Sequence, residues 1–112
     1  VDRLDEGLID AASAVSGCGP AFVYLFAEAM ADAGVECGLP RNKATEYAAQ
    51  TLLGAAELLL TSGKHSGVLK DEVCSPAGTT IAGVHSLENN GFRGAVMDAV
   101  KAAYDKTKNI GK

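Results

Sequence analysis

The stretch from Ser16 to Asn42, "SGCGPAFVYLFAEAMADAGVECGLPRN", decides how the chain folds. "SGCGP" at 16–20 breaks whatever precedes it. Pro20 suits the first turn of a new helix, where its missing N–H costs nothing. The run that follows, Ala21 to Val35, is apolar on nearly every side, with Glu28 and Asp32 at i, i+4 as a polar edge. That edge is either solvated or makes a polar contact to another helix. A helix apolar nearly all round is normally buried on most sides. "GLPRN" at 38–42 then stops this helix and starts another, with glycine after one and proline at the head of the next.

On the N-terminal side, "LIDAASAV" at 8–15 makes a short helix. On the C-terminal side, the spacing predicts an amphipathic helix from about 41 to 61. Lys43, Glu46, Gln50 and Glu57 line one face, and Ala44, Tyr47, Ala48, Leu52, Ala55 and Leu59 line another. Gly54 falls on the polar stripe. It either costs about 1 kcal/mol for nothing or marks a close crossing by another helix. "TSGKHSG" at 61–67 is a turn and "VLKDEV" at 68–73 a short helix. "TIAGVHSLE" at 80–88 places Ile81, Val84 and Leu87 at helical spacing, and Asn90-Gly91 ends it as a C-cap pair. The last helix, 92–108, turns Phe92, Ala95, Val96, Ala99, Val100 and Ala103 inward. Arg93, Asp98, Lys101 and Asp105 face out, and Lys106 and Lys108 suit the negative end of its dipole. No run shows the period-2 alternation of strands. The expectation is an all-α domain of about six helices, occupying residues 1–112. The first long helix is too apolar for a monomer's surface, so a symmetric dimer is expected to bury it.

Composition narrows the function. The 112 residues suit one domain, and a domain of this size buries only about two thirds of its unfolded surface. Net charge is −4 with both signs dispersed, so no basic stripe points to nucleic acid. The apolar stretches fall short of the roughly 20 residues of a membrane span, and no membrane partner is expected. Cys18, Cys37 and Cys74 are odd in number and lack C-x-x-C spacing, which argues against a disulfide framework or a zinc site. Free thiols in a reducing compartment, cytoplasm or mitochondrial matrix, are the expectation. His65 and His85 lie far apart, and no metal site is expected. The chain opens at Val1 without methionine, and is read as a piece of a longer protein.

The chemistry concentrates in "CSPAGTTIAG", residues 74–83. Ser75 reads as an N-cap and Pro76 as the first helical residue. The free amides of Ala77, Gly78, Thr79 and Thr80 then face outward from a helix N-terminus, which favours an anion. Thr79 and Thr80 add hydroxyls that donate or accept. The plain alternative is a capped helix with threonines suited to the turn. "SGCGP" holds G-x-G but lacks the third glycine and follows no strand, so it is no dinucleotide fingerprint. Cys18 has no base near it in sequence and reads as a packed thiol. His85 reads as a helix-edge histidine, and no carboxylate pair has a spacing that argues for acid–base work.

Three blocks, "SGCGPAFVYLFAEAMADAGVECGLPR" (16–41), "AAQTLLGAAELLL" (48–60) and "LKDEVCSPAGTTIAGVHSLENNGFRGAVMDAV" (69–100), together resemble the C-terminal domain of the pyrroline-5-carboxylate reductase family. The resemblance covers nearly the whole chain, and the block from Ser75 to Gly91 is its most specific part. It implies an NAD(P)H-dependent oxidoreductase that reduces 1-pyrroline-5-carboxylate to L-proline, the last step of proline biosynthesis. It also implies that an N-terminal Rossmann domain, absent from this sequence, holds the NADP or NAD, with at most a contact from Thr80 here. It implies an interlocked homodimer, assembled further into a decamer in many members. Ser75, Gly78, Thr79 and Thr80 would hold the substrate carboxylate, and the Thr80 hydroxyl, as the catalytic group, would reach the ring nitrogen. Two departures stand out. Ala77-Gly78 replaces the Gly-Gly of many relatives, so a left-handed conformation at residue 77 would strain alanine; the expectation is that the site tolerates it. Cys18 stands where serine is common. A helical oligomerisation module without chemistry, and the C-terminal domain of a related two-domain dehydrogenase, are the competing readings.

Overall fold

The structure, a computed structural model, describes residues 3–109; Val1, where the chain opens, lies outside them. A 3-10 turn at Glu6–Leu8 leads into α1 (Ile9–Ser16), α2 (Gly19–Glu36), α3 (Arg41–Ser62), α4 (Ser66–Glu72), α5 (Thr79–Asn89) and α6 (Phe92–Asn109). There is no strand among the described residues, and the all-α architecture is as the sequence spacing indicates. The chain packs as two compact units. One takes both ends, up to Tyr24 and from Glu88; the other takes Leu25–Leu87.

The central unit is built on the α2–α3 hairpin. Gly38, at φ +111°, ends α2. The Leu39 N–H donates to the Gly34 carbonyl at 2.9 Å and the Gly38 N–H to the Val35 carbonyl at 3.0 Å. These are the two bonds of a Schellman cap, which glycine closes because it lacks the Cβ that disfavours positive φ. The hydrophobic contact that accompanies this cap is present too: Leu39 Cδ1 lies 3.3 Å from where a Cβ on Gly34 would stand, and Ala44 Cβ is equally near. Small residues therefore let α2 and α3 approach closely. Ala31, Ala44 and Ala48 form the buried cluster, flanked by Met30 and Val35. Asp32 accepts a hydrogen bond from Arg41 Nη1 at 2.7 Å, so part of the polar edge of α2 is an interhelix contact. Both side chains are more than half exposed, which limits the pair to about 1 kcal/mol at most.

Two boundaries differ from expectation. The turn at 61–67 shrinks because α3 runs to Ser62 and α4 already starts at Ser66. His65 caps α4, its Nδ1 accepting the Gly67 N–H at 3.0 Å, and Lys64 Nζ reaches Glu72 Oε2 at 2.9 Å to tie the two ends of that short helix. Gly54 has nothing within 4 Å of its would-be Cβ, so no helix among the described residues crosses closely there.

In the other unit α1 packs on α6. Ala14 is fully buried. The helix then breaks where the Gly17 and Cys18 amides both donate to the Ser13 carbonyl, at 2.8 and 3.1 Å. An open groove of ≈ 630 Å³ runs beside this contact, lined chiefly by Val15, Val96, Met97, Val100 and Tyr104. On the outer face Lys101 pairs with Asp105 at 2.8 Å, and that hydrogen bond holds its ammonium above the ordinary lysine range. The expected inward face of α6 is only partly covered: Ala99, Val100 and Ala103 are half-buried, whereas Phe92, Ala95 and Val96 are exposed.

The same shortfall recurs elsewhere. Although 47% of the sequence is hydrophobic, the buried residues among those described are Ala14, Ala31, Ala44 and Ala48. Leu60 is 84% exposed, Tyr24 71% and Met97 70%. On the apolar face of α3, Ala44 and Ala48 are buried, but Tyr47, Ala55 and Leu59 are not. A helix of 22 residues is about 33 Å long, and beside its C-terminal half stands only the short α4 across an open groove among the described residues. Contrary to the sequence estimate, one stretch, Glu6–Glu36, is apolar enough by length and composition for a membrane span. It is not one rod, because Gly17 and Cys18 interrupt it between α1 and α2.

Gly38→Ala places a Cβ at φ +111° and is expected to destabilise the fold by about 1–2 kcal/mol. A lower denaturant midpoint with an unchanged slope is the outcome to look for; an unchanged midpoint would show that the cap does not set the α2–α3 hairpin.

Candidate functional site

Residues 75–80 lie in the central unit, between α4 and the first turn of α5. Here the local reading needs correction. Ser75 is not the cap of α5, and Pro76 is not its first helical residue: α5 begins at Thr79, which leaves Gly78 in the cap position. Residues 75–78 form a reverse turn instead. The Gly78 N–H donates to the Ser75 carbonyl at 3.0 Å, so its amide is engaged in the turn. Pro76 occupies the position where a fixed φ near −65° is favoured, and Ala77 follows at φ +59°. Proline followed by a positive φ, closed by an i to i+3 hydrogen bond, is the signature of a type II turn. The preference of Ser and Pro for helix starts lost to the equally strong preference of Pro-x-Gly for turns.

The turn brings the expected residues together. Ser75 Oγ sits directly over Gly78, where a Cβ would collide with it; glycine at 78 thus keeps that hydroxyl beside the start of α5. Gly78 is half-buried, and Ser75, Thr79 and Thr80 are exposed. The first amides of α5, those of Thr79 and Thr80 among them, have no acceptor within the helix and carry the positive end of its dipole. The assembled chemistry is therefore two hydroxyl-bearing threonines, a nearby serine hydroxyl and outward amides, all within one short segment. Such a group is suited to holding a carboxylate and one further hydrogen-bonding atom.

Ala77 is the residue whose importance the pattern did not resolve. It is the one non-glycine at positive φ among the described residues. Alanine in the left-handed region costs roughly 1–2 kcal/mol. The loop accommodates alanine, as expected, but in the left-handed conformation that carries this strain, and the signal lay in the Pro-Ala-Gly tripeptide, which reads as a turn as readily as a helix start.

Other candidates stay apart from this segment. Cys18 is half-buried at the α1–α2 break, Cys74 is half-buried just before the turn, and Cys37 is exposed. His85 is exposed on α5. Among the described residues no cluster of His, Cys, Asp or Glu has the arrangement of a metal site. A groove of ≈ 420 Å³ beside α3 and α4 is lined by Leu58, Leu59, Leu69 and Val73 with Lys70 at its edge; residues 75–80 take no part in it. For a nicotinamide cofactor the fit is poor. "SGCGP" forms a helix break on Ser13 and follows no strand, so it offers no phosphate cradle.

Ala77→Gly should stabilise the fold by up to about 1 kcal/mol, the strain relieved being partly offset by the greater freedom of glycine in the unfolded chain. Ala77→Val should destabilise it by more than that. Thermal unfolding of the two variants checks the order; Gly no more stable than Val would contradict the left-handed assignment.

Residues 6–110 match the family model for pyrroline-5-carboxylate reductase dimerisation. Pyrroline-5-carboxylate reductase of Pisum sativum is 54% identical over 108 residues, covering 96% of this chain and 40% of the relative. That of Synechocystis sp. is 52% identical over 112 residues, covering 100% of this chain and 42% of the relative. Among solved structures, a Plasmodium falciparum pyrroline carboxylate reductase with NADP bound superposes with a TM-score of 0.94 at 44% identity, over 99% of this chain and 45% of its own. The chain thus spans about two fifths of the length of the curated relatives it matches. With a match that runs through both units and across the turn at 75–78, the chain belongs to the pyrroline-5-carboxylate reductase dimerisation family.

Proposed function

We propose that this chain is the C-terminal dimerisation and substrate-binding part of a pyrroline-5-carboxylate reductase, which reduces 1-pyrroline-5-carboxylate to L-proline with NADPH or NADH. The observation that carries the reading is the family match over residues 6–110, which includes the whole Ser75–Thr80 segment. The cofactor is held outside this sequence and, when bound, supplies the hydride to the C=N carbon. What remains for this chain is to hold and orient the imine acid.

The carboxylate of the substrate docks on the first amides of α5, Thr79 and Thr80, with the Ser75 hydroxyl as a further donor. Its charge is matched by the helix dipole, and the bonds are stronger than neutral ones because the acceptor is ionised. Gly78 contributes closeness rather than its amide, which the Ser75 carbonyl already engages. Thr80 sits one residue into the helix, and its hydroxyl meets the ring nitrogen once the carboxylate is seated. An alcohol is a poor acid at neutral pH, so Thr80 positions the nitrogen or relays a proton to it and is not the bulk source of protons. Holding both ends of a small rigid ring leaves little rotational freedom, which is where most of this segment's contribution to rate lies.

The exposed apolar faces of α2, α3 and α6 support a homodimer in which two copies cover each other. Further assembly of such dimers into a decamer is part of the same proposal. So is residence in a reducing compartment, cytoplasm or mitochondrial matrix, with which three unpaired cysteines are in keeping.

Two measurements on the full-length protein test the reading. Leu60→Glu puts a charge on a side chain that is 84% exposed in the isolated chain. Sedimentation should show dissociation or failed assembly if that surface is an interface, and an unchanged oligomer would remove Leu60 from it. Thr80→Val keeps shape and amide but removes the hydroxyl. Its kcat and kcat/KM should fall at least 3- to 15-fold, the worth of one hydrogen bond of about 0.5–1.5 kcal/mol, and up to about 100-fold if it relays a proton. Ser75→Ala should act on KM with little loss of stability, because Ser75 is not a helix cap. Wild-type kinetics in Thr80→Val would reduce the threonine to a helix-turn residue.

A further inference from the structure

Ala77 is held at φ +59° by very little. Strained backbone persists only where its surroundings over-determine it. Ser75, Pro76, Ala77, Thr79 and Thr80 are all exposed, and the turn is closed by a single backbone bond, Gly78 N–H to the Ser75 carbonyl at 3.0 Å. If that bond opens, alanine relaxes to negative φ, and the peptide that follows rotates with it. The Ser75 hydroxyl then leaves its place over Gly78, and serine and the α5 amides no longer face one anion together. Glycine at 77 would carry almost no such bias, since it occupies positive and negative φ about equally.

We infer that Ala77 is a positioning residue that sets the affinity for the substrate carboxylate, by biasing the turn between an open form and the closed form that presents Ser75 and the start of α5. The inference rests on the proposed role of Ser75–Thr80. Only the closed form binds well, so the apparent dissociation constant is the intrinsic one divided by the closed fraction. A bound carboxylate supplies the restraint that the chain itself lacks. Ala77 touches no reacting atom, and its influence belongs to binding, not to the chemical step.

The test is steady-state kinetics on the full-length enzyme with Ala77→Gly, Ala77→Asn and Ala77→Val, with both substrates varied. Left-handed backbone is easiest for Gly, tolerable for Asn and worst for Val. KM for 1-pyrroline-5-carboxylate is expected to fall about 2- to 5-fold in the Gly variant, to fall less in the Asn variant, and to rise more than about 10-fold in the Val variant. The kcat and the KM for NAD(P)H should move by less than about 2-fold. A loosened fold without this role would alter all constants together or none. Equal KM for the imine acid in wild type, Gly and Asn variants overturns the inference even if the Val variant fails to fold. A wild-type protein unable to reduce 1-pyrroline-5-carboxylate overturns both the inference and the function on which it rests, whereas an active wild type with flat KM values overturns the inference alone.

Discussion

The rest of this structure depends on one constraint: the chain cannot bury its own apolar surface. Among the described residues the buried positions are alanines, and alanine removes little area from water, at about 25 cal/mol per Å². The large side chains that could contribute more, Leu60, Met97 and Tyr24 among them, lie outside. In α2, α3 and α6 large apolar side chains such as Tyr24, Leu60 and Met97 stay exposed in the single chain. Membership of a dimerisation family accords with that exposed surface, and in the homodimer proposed above a second copy would cover it.

Small residues are the other side of that constraint. Gly34 admits Leu39 and Ala44, and Ala31, Ala44 and Ala48 let α2 and α3 lie close. Where residues are small and unopposed within the chain, as at Gly54, Gly83 and Gly94, the backbone is open to close approach from outside. The packing is thus tight in a few places and unfinished in many, and the division of the chain into two units follows from it.

The turn at 75–78 shows how a candidate site is laid out on backbone. Proline limits one torsion, alanine is held in a costly one, and glycine makes room for a serine hydroxyl. Each residue restricts the next, and the product is a direction for the α5 N-terminus. Under the proposed function, binding would rest mainly on backbone amides and hydroxyls, since residues 75–80 include no titratable side chain.

The all-α class, the order of the helices and the surplus of apolar surface were determined by the sequence itself. Periodicity and the Gly-Pro breaks at 17–20 and 38–40 are local signals, and local signals are strong for long helices. Ser75, Gly78, Thr79 and Thr80 were legible as a candidate site, because serine, glycine and threonines cluster around Pro76 at the head of an apolar run. Tertiary structure alone decided the rest. Ser75-Pro76 is compatible with both a helix start and a turn, and only the closed Gly78 to Ser75 bond and the left-handed Ala77 separate them. Gly54 on its stripe left open a plain cost or a crossing helix, and which of the two holds is a long-range fact that no local pattern carries. The apolar faces of α3 and α6 were legible from spacing, and in the single chain the inward face expected of α6 is only partly covered. Hydrophobic spacing specifies which side of a helix seeks cover, whereas burial depends on whether the same chain has anything left to provide it.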